Sequence, residues 1–168
     1  MAQLTTIEVQ EIQAIIEPLK SKRARILVAL QMLLKTVTKD RGYTQNMADV
    51  TFNVKGWRDK AKAETPVMYI IDSVNNIKRH AGTVREYVWR LEIFGTCREM
   101  EFIEFEEFLA DVEQCLDDNN TLFGQINKME VLSIPTDNQL FSELDNSGVR
   151  LFSMDIDIEY TRNARNAK

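Results

Sequence analysis

With 168 residues, 44% of them apolar and 28% charged, the chain suits one globular domain that buries a single core; two full domains would be cramped. No run approaches the roughly 20 uninterrupted apolar residues of a membrane span, and Met1-Ala2-Gln3-Leu4-Thr5 lacks the basic-then-apolar plan of a secretion signal, so a soluble intracellular protein without membrane contact is expected. A net charge of −5 weighs against a general nucleic-acid binder, which needs a cationic excess to displace phosphate counterions.

Between residues 8 and 37 apolar side chains recur at helical spacing: Ile12, Ile15, Ile16 and Leu19, then Ile26, Leu27, Leu30, Leu33, Leu34 and Val37. Pro18 falls inside this run and removes an amide, which predicts a short leading helix followed by a main one. Lys39-Asp40-Arg41-Gly42 ends the main helix, with Gly42 suited to the left-handed residue just past it. Alternation then takes over at Val50-Thr51-Phe52-Asn53-Val54 and at Pro66-Val67-Met68-Tyr69-Ile70-Ile71, predicting two strands. In a third, long strand Tyr87, Trp89, Leu91 and Ile93 share the buried face. Glu86, Arg90 and Glu92 mark its other face, which Val88 and Phe94 interrupt.

A second amphipathic helix steps through Phe102, Phe105, Leu109, Val112 and Leu116, has an acidic polar face and stops at Asp117-Asp118-Asn119-Asn120. A strand is expected within residues 125–134, then a polar loop from Pro135 to Gly148. Phe152, Met154, Ile156, Ile158 and Tyr160 finally alternate with Ser153, Asp155, Asp157 and Glu159 in a half-buried strand. The fold class is therefore α+β: a mostly antiparallel sheet of four to five strands with two main helices on one face, plus a short N-terminal helix. The expected organisation is a helical extension over 1–17, one domain over 18–160 and a flexible basic tail over 161–168, where Arg162, Arg165 and Lys168 have no apolar anchor.

Few residues invite chemistry. The one histidine, His80, lies in an expected loop, Lys78-Arg79-His80-Ala81-Gly82, where solvation is the ordinary state. Cys97 and Cys115 stand in unlike settings without CxxC spacing, so reduced thiols are expected and zinc is not. The glycines are scattered singly, unlike a phosphate-binding loop. Asp155, Asp157 and Glu159 project from one strand face, but neighbours on such a face stand ~7 Å apart, too far to share one cation unaided. No catalytic residue, metal or cofactor is expected.

Two features invite binding instead. Trp57 sits among Lys55, Arg58, Lys60 and Lys62, where it could stack on a nucleobase, fill a pocket in another protein or fold back over its own sheet. Charge is also unevenly spread: Lys20, Lys22, Arg23 and Arg25 make one stretch basic, whereas Glu99, Glu101, Glu104 and Glu107 make another acidic. The two could attract each other or be solvated separately.

The order of these elements resembles the tail terminator proteins of long-tailed bacteriophages. The likeness rests on the helix over 26–37 leading to Arg41-Gly42-Tyr43, on Pro66-Val67-Met68-Tyr69-Ile70 and on the strand around Trp89-Arg90-Leu91-Glu92-Ile93. It continues through the helix ending in Asp111-Val112-Glu113-Gln114-Cys115-Leu116 and through Ser153-Met154-Asp155-Ile156-Asp157-Ile158-Glu159-Tyr160, covering most of residues 18–160. Such proteins are non-enzymatic virion components assembled in the host cytoplasm. They form a hexameric ring at the head-proximal end of the tail, halt tube polymerisation and join the tail to the head connector. The resemblance implies partners in copies of the chain itself, the tail tube protein, a connector or neck protein, and passing DNA that is not held. Lys20, Lys22, Arg23 and Arg25 would then pair with Glu99, Glu101, Glu104 and Glu107, within a subunit or across the ring. Trp57, Arg58, Lys60, Lys62 and Ile77-Lys78-Arg79 would be mobile tips for subunit or tube contacts, and Asp155, Asp157 and Glu159 an acidic lining that repels the genome. A related connector or head-completion protein, and a nucleic-acid module using residues 55–62 and 78–85, are the competing readings. An enzyme built on His80 comes third.

Overall fold

A computed structural model describes residues 3–47, 49–55, 66–98, 100–133 and 149–163. Trp57, Arg58, Lys60, Lys62, Glu99, the loop over 135–148 and residues 164–168 lie outside them. Helix α1 (Thr6–Ile16) opens with a capping box: the Glu8 amide donates to the Thr5 hydroxyl, while the Thr5 amide donates back to the Glu8 carboxylate. Ile12 and Ile16 are buried and Ile16 joins the main core, so the expected extension is packed into the domain. The chain turns at Pro18, and Arg25 spans that corner by donating to the Leu19 and Glu17 carbonyls. Helix α2 (Lys22–Lys35) starts where the Ser21 side chain accepts from the Ala24 amide, and it buries Ile26, Ala29, Leu30, Leu33 and Leu34 along one stripe. It ends near Thr36, whose hydroxyl donates to the Leu33 carbonyl. Gly42, at φ 86°, closes a separate 3-10 turn over Lys39–Arg41 rather than α2.

Strands β1 (Asp49–Thr51), β2 (Val67–Ala81) and β3 (Val84–Arg98) precede helix α3 (Phe102–Asp118), which is followed by β4 (Lys128–Ser133) and β5 (Val149–Asn163). They form one five-stranded sheet in the order β1-β2-β3-β5-β4, in which only the β1–β2 pair is parallel. The α+β class and the mostly antiparallel sheet are those predicted from the hydrophobic pattern. Register places Trp89, Leu91 and Ile93 opposite Ile158, Ile156 and Met154, making one continuous apolar face. Helix α2 reaches this face at Trp89, where the Arg23 guanidinium lies 4.3 Å from the ring centroid. Helix α3 reaches it at Phe152, against which Phe105 and Phe108 pack edge-on at 6.2 and 5.9 Å. The Phe152 ring lies across Gly95 on the neighbouring strand, so closely that a Cβ there would fall 2.1 Å from it.

Several boundaries differ from the sequence expectation. Strand β2 runs on to Ala81, so Ile77, Lys78, Arg79 and His80 are strand residues beside a tight Gly82-Thr83 turn and not a loop tip. Strand β5 extends to Asn163, taking Thr161 and Arg162 out of the expected tail. β1 is only three residues long. Phe102, expected in the buried stripe of α3, is exposed, because the stripe passes through Phe105, Phe108, Leu109, Val112, Cys115 and Leu116. At the β1 end the opposite face is buried as well: Val67, Tyr69, Thr96 and Leu151 are covered, and Tyr69 packs on Phe94 at 5.8 Å. That second covered patch accounts for the apolar Phe94 on an otherwise polar face.

Candidate functional site

The three long strands continue past the helices as an arm. Strand β1 pairs with β2 only from Val67 to Tyr69, so among the described residues β2 is an open sheet edge from Ile70 to Ala81. The arm is anchored at its root by side chains from three elements. Trp89 Nε1 donates to Asp72 Oδ1 at 2.7 Å, and Arg23 NH2 donates to Asp72 Oδ2 while its guanidinium stacks on the indole. Asn75, directly opposite Trp89, donates from Nδ2 to the hydroxyl of Tyr160 at 2.9 Å, and Tyr160, one row outward, stacks on Tyr87 at 5.0 Å. Burial pushes the Tyr160 phenol above its ordinary pKa, against the pull of the Asn75 bond and of Arg23.

The next row carries His80, Arg85 and Arg162 side by side on β2, β3 and β5, all exposed and on the same face as Trp89. Two arginines directly opposite each other repel, so this row is unfavourable in the isolated chain. Neither Arg85, Arg162 nor the nearby Arg79 has an ion-pair partner among the described residues. This arginine row escaped the sequence reading, although the signal was there. Arg85 continues the phase of Tyr87 and Trp89, and Arg162 that of Tyr160 and Ile158.

The acidic ladder is not a free row of carboxylates. Arg90 makes a two-pronged bond to Asp157, at 2.8 and 2.9 Å, because β3 places it directly opposite. That bond, with the carboxylate's charge, raises the Arg90 pKa. Lys78 reaches Glu159 at 2.7 Å, which leaves Asp155 beside Glu92 as the ladder's acidic step. No group of three or more metal-ligating side chains occurs among the described residues.

Among the described residues, the expected pairing of Lys20, Lys22, Arg23 and Arg25 with Glu101, Glu104 and Glu107 is not made within the subunit; Glu99 lies outside them. Arg23 serves Asp72, Arg25 serves two carbonyls, and Glu104 accepts from Gln45. Burial, with Arg25 nearby, lowers the Lys22 pKa. Helix α2 begins over Trp89 and α3 over Phe152, opposite Gly95, which at the strand rise puts their first turns about 20 Å apart, although the helices meet further along, at Leu33 and Cys115.

Titratable groups of the other kinds are scattered. His80 stands at the turn end of β2 and Cys97 at the far end of β3, about 40 Å away by strand rise. Burial pushes the Cys97 thiol up to about 12 and raises Cys115 as well, so neither supplies thiolate at neutral pH. A thiol reagent at pH 8 should leave both cysteines unmodified in the folded protein and label both after denaturation. Rapid native labelling of Cys97 would mean that its environment is open. A cavity of about 180 Å³, lined by Leu4, Val9, Thr36, Tyr43, Asp118 and Asn119, lies where α1 meets the end of α3. It is smaller than the ~300 Å³ at which small-molecule pockets begin. No helix among the described residues is long and apolar enough to cross a membrane. No protein-family model matches the chain, and no curated protein matches it in sequence.

Proposed function

We propose that this chain is a non-enzymatic virion subunit that assembles into a ring at the head-proximal end of a phage tail, ends tube growth there and joins the tail to the head connector. One observation supports this most directly: a single subunit presents two chemically unlike surfaces. The arm ends in Arg79, Arg85 and Arg162, whereas the exposed side of α3 presents Glu106, Glu107 and Asp117 and the helix contains no base. Rings built from identical subunits need such a pair, because each contact joins one patch to a different patch on the next copy, and a closed rotation fixes the number. The domain supplies shape and charge, with hexameric closure, the tail tube protein and a neck protein as its expected contacts. A surface that is acidic overall would let the genome pass without holding it.

Native mass spectrometry and negative-stain imaging, on the protein alone and mixed with tail tubes, test this. The expected result is a closed ring of identical subunits capping one end of each tube. A lasting monomer that ignores tubes, or turnover of a substrate, would sink the reading. Position along the tail separates a terminator from another connector or head-completion protein. The arginine row favours a second reading, a small nucleic-acid-binding module, which predicts DNA retention that weakens steeply with salt.

A further inference from the structure

We infer that the exposed end of the arm docks on the solvent face of α3 of a second copy of this chain, so that the subunits associate arm to helix and head to tail. This rests on the ring-subunit reading and names the surfaces that would close it.

The arm end is both charged and apolar. His80, Arg85 and Arg162 form its outermost row on the Trp89 face, and Ile77 lies one row inward beside Tyr87 at 47% exposure. An apolar side chain held out beside unpaired arginines is the composition of a contact centre rather than of a solvated end. The face of α3 has the matching composition with the sign reversed. Ile103, Glu106, Glu107, Ala110 and Asp117 recur at helical spacing along its exposed side. Phe102 and Ile103 stand out at its first turn at 58% and 67% exposure.

Each surface is unfavourable alone. Arg85 and Arg162 repel across the β3–β5 pair. Helix α3 has no base in its last turn, yet it ends in Asp117 and Asp118, where carboxylates oppose the helix dipole. Both penalties vanish when the two faces meet. Glu106 and Glu107 cannot reach the arm within one subunit: the first turns of α3 pack on Phe152, opposite Gly95, and lie near Arg150, opposite Cys97, about 33 to 40 Å along the sheet from Arg85. The complement of the arm therefore belongs to a neighbour. A repeated copy supplies it in equal number, which an unrelated acidic partner would not.

Charge reversal on each side tests this. Arg85→Glu with Arg162→Glu makes the arm acidic, and Glu106→Lys with Glu107→Lys makes the helix basic. All four positions are exposed, so folding is checked by circular dichroism and should be unchanged. Sedimentation velocity should show the wild type assembling and each double variant weakened by about 100-fold or more, since like charges now face each other. An equimolar mixture of the two variants should reassemble, with native mass giving subunits in a one-to-one ratio, because every contact in an alternating ring is then complementary. Undiminished assembly of either double variant overturns the arm-to-helix contact while leaving the ring reading standing. A wild type that stays monomeric both alone and with tubes overturns the ring reading itself. Loss of binding to a single-stranded oligonucleotide by the arm variant, with assembly intact, would assign the row to phosphates instead.

Discussion

Replacing Gly95 by alanine should destabilise the domain by about 3 kcal/mol, seen as a lower urea midpoint with an unchanged slope. The sign is what makes the test sharp, because glycine to alanine in a strand ordinarily stabilises by roughly 0.5–1 kcal/mol. Here the added methyl would lie 2.1 Å from Phe152 Cε1 and 2.2 Å from Cζ. The ring cannot swing clear, since Phe105 and Phe108 hold it edge-on and it is buried. In a Phe152→Ala background the penalty should disappear, leaving Gly95→Ala neutral or stabilising, and that non-additivity identifies the ring as the cause. A neutral Gly95→Ala in the otherwise natural sequence would mean that the sheet and α3 are packed differently.

Trp89→Ala should be as damaging, at about 3–5 kcal/mol, because it empties the largest fully buried side chain among the described residues from the root of the arm. Trp89→Phe keeps most of the volume but deprives Asp72 of the indole donor and Arg23 of its preferred ring. Asp72 is partly solvated, so water takes over that bond and the loss falls to about 1 kcal/mol. The milder variant is the informative one. Hydrogen exchange should quicken from Asp72 to Ala81 while α3 keeps its protection, because the trio of Trp89, Asp72 and Arg23 joins the arm to α2. Equal loosening throughout would show that Trp89 fills space without anchoring the arm.

What could be read beforehand follows from how locally each feature is determined. Alternation from Phe152 to Tyr160 and the helical stripe from Phe105 to Leu116 were legible because one face of each is buried. The outer half of β2 was not. Asp72-Ser73-Val74-Asn75-Asn76 shows no alternation, since both faces there meet solvent, and its strand geometry comes from pairing with β3. Phe102 is the converse case: its spacing continues the apolar stripe, yet the buried stripe begins one turn later, at Phe105. The surface proposed for assembly depends on register. Arg85 and Arg162 are far apart in the chain, and only the β3–β5 ladder makes them neighbours. Asp157 and Glu159 looked like bare carboxylates because their counterions, Arg90 and Lys78, come from other strands.

The ladder of β2 breaks step twice, between Asp72 and Val74 and again between Ile77 and Arg79. An open strand margin is a ready template for fibrils, but an incoming strand needs an unbroken comb of amides and carbonyls to zip onto. Each irregularity twists that comb out of line, and Lys78, within the second, must lose hydration if it is covered. Runaway growth along this margin is thereby discouraged, even though β1 covers only its first three residues.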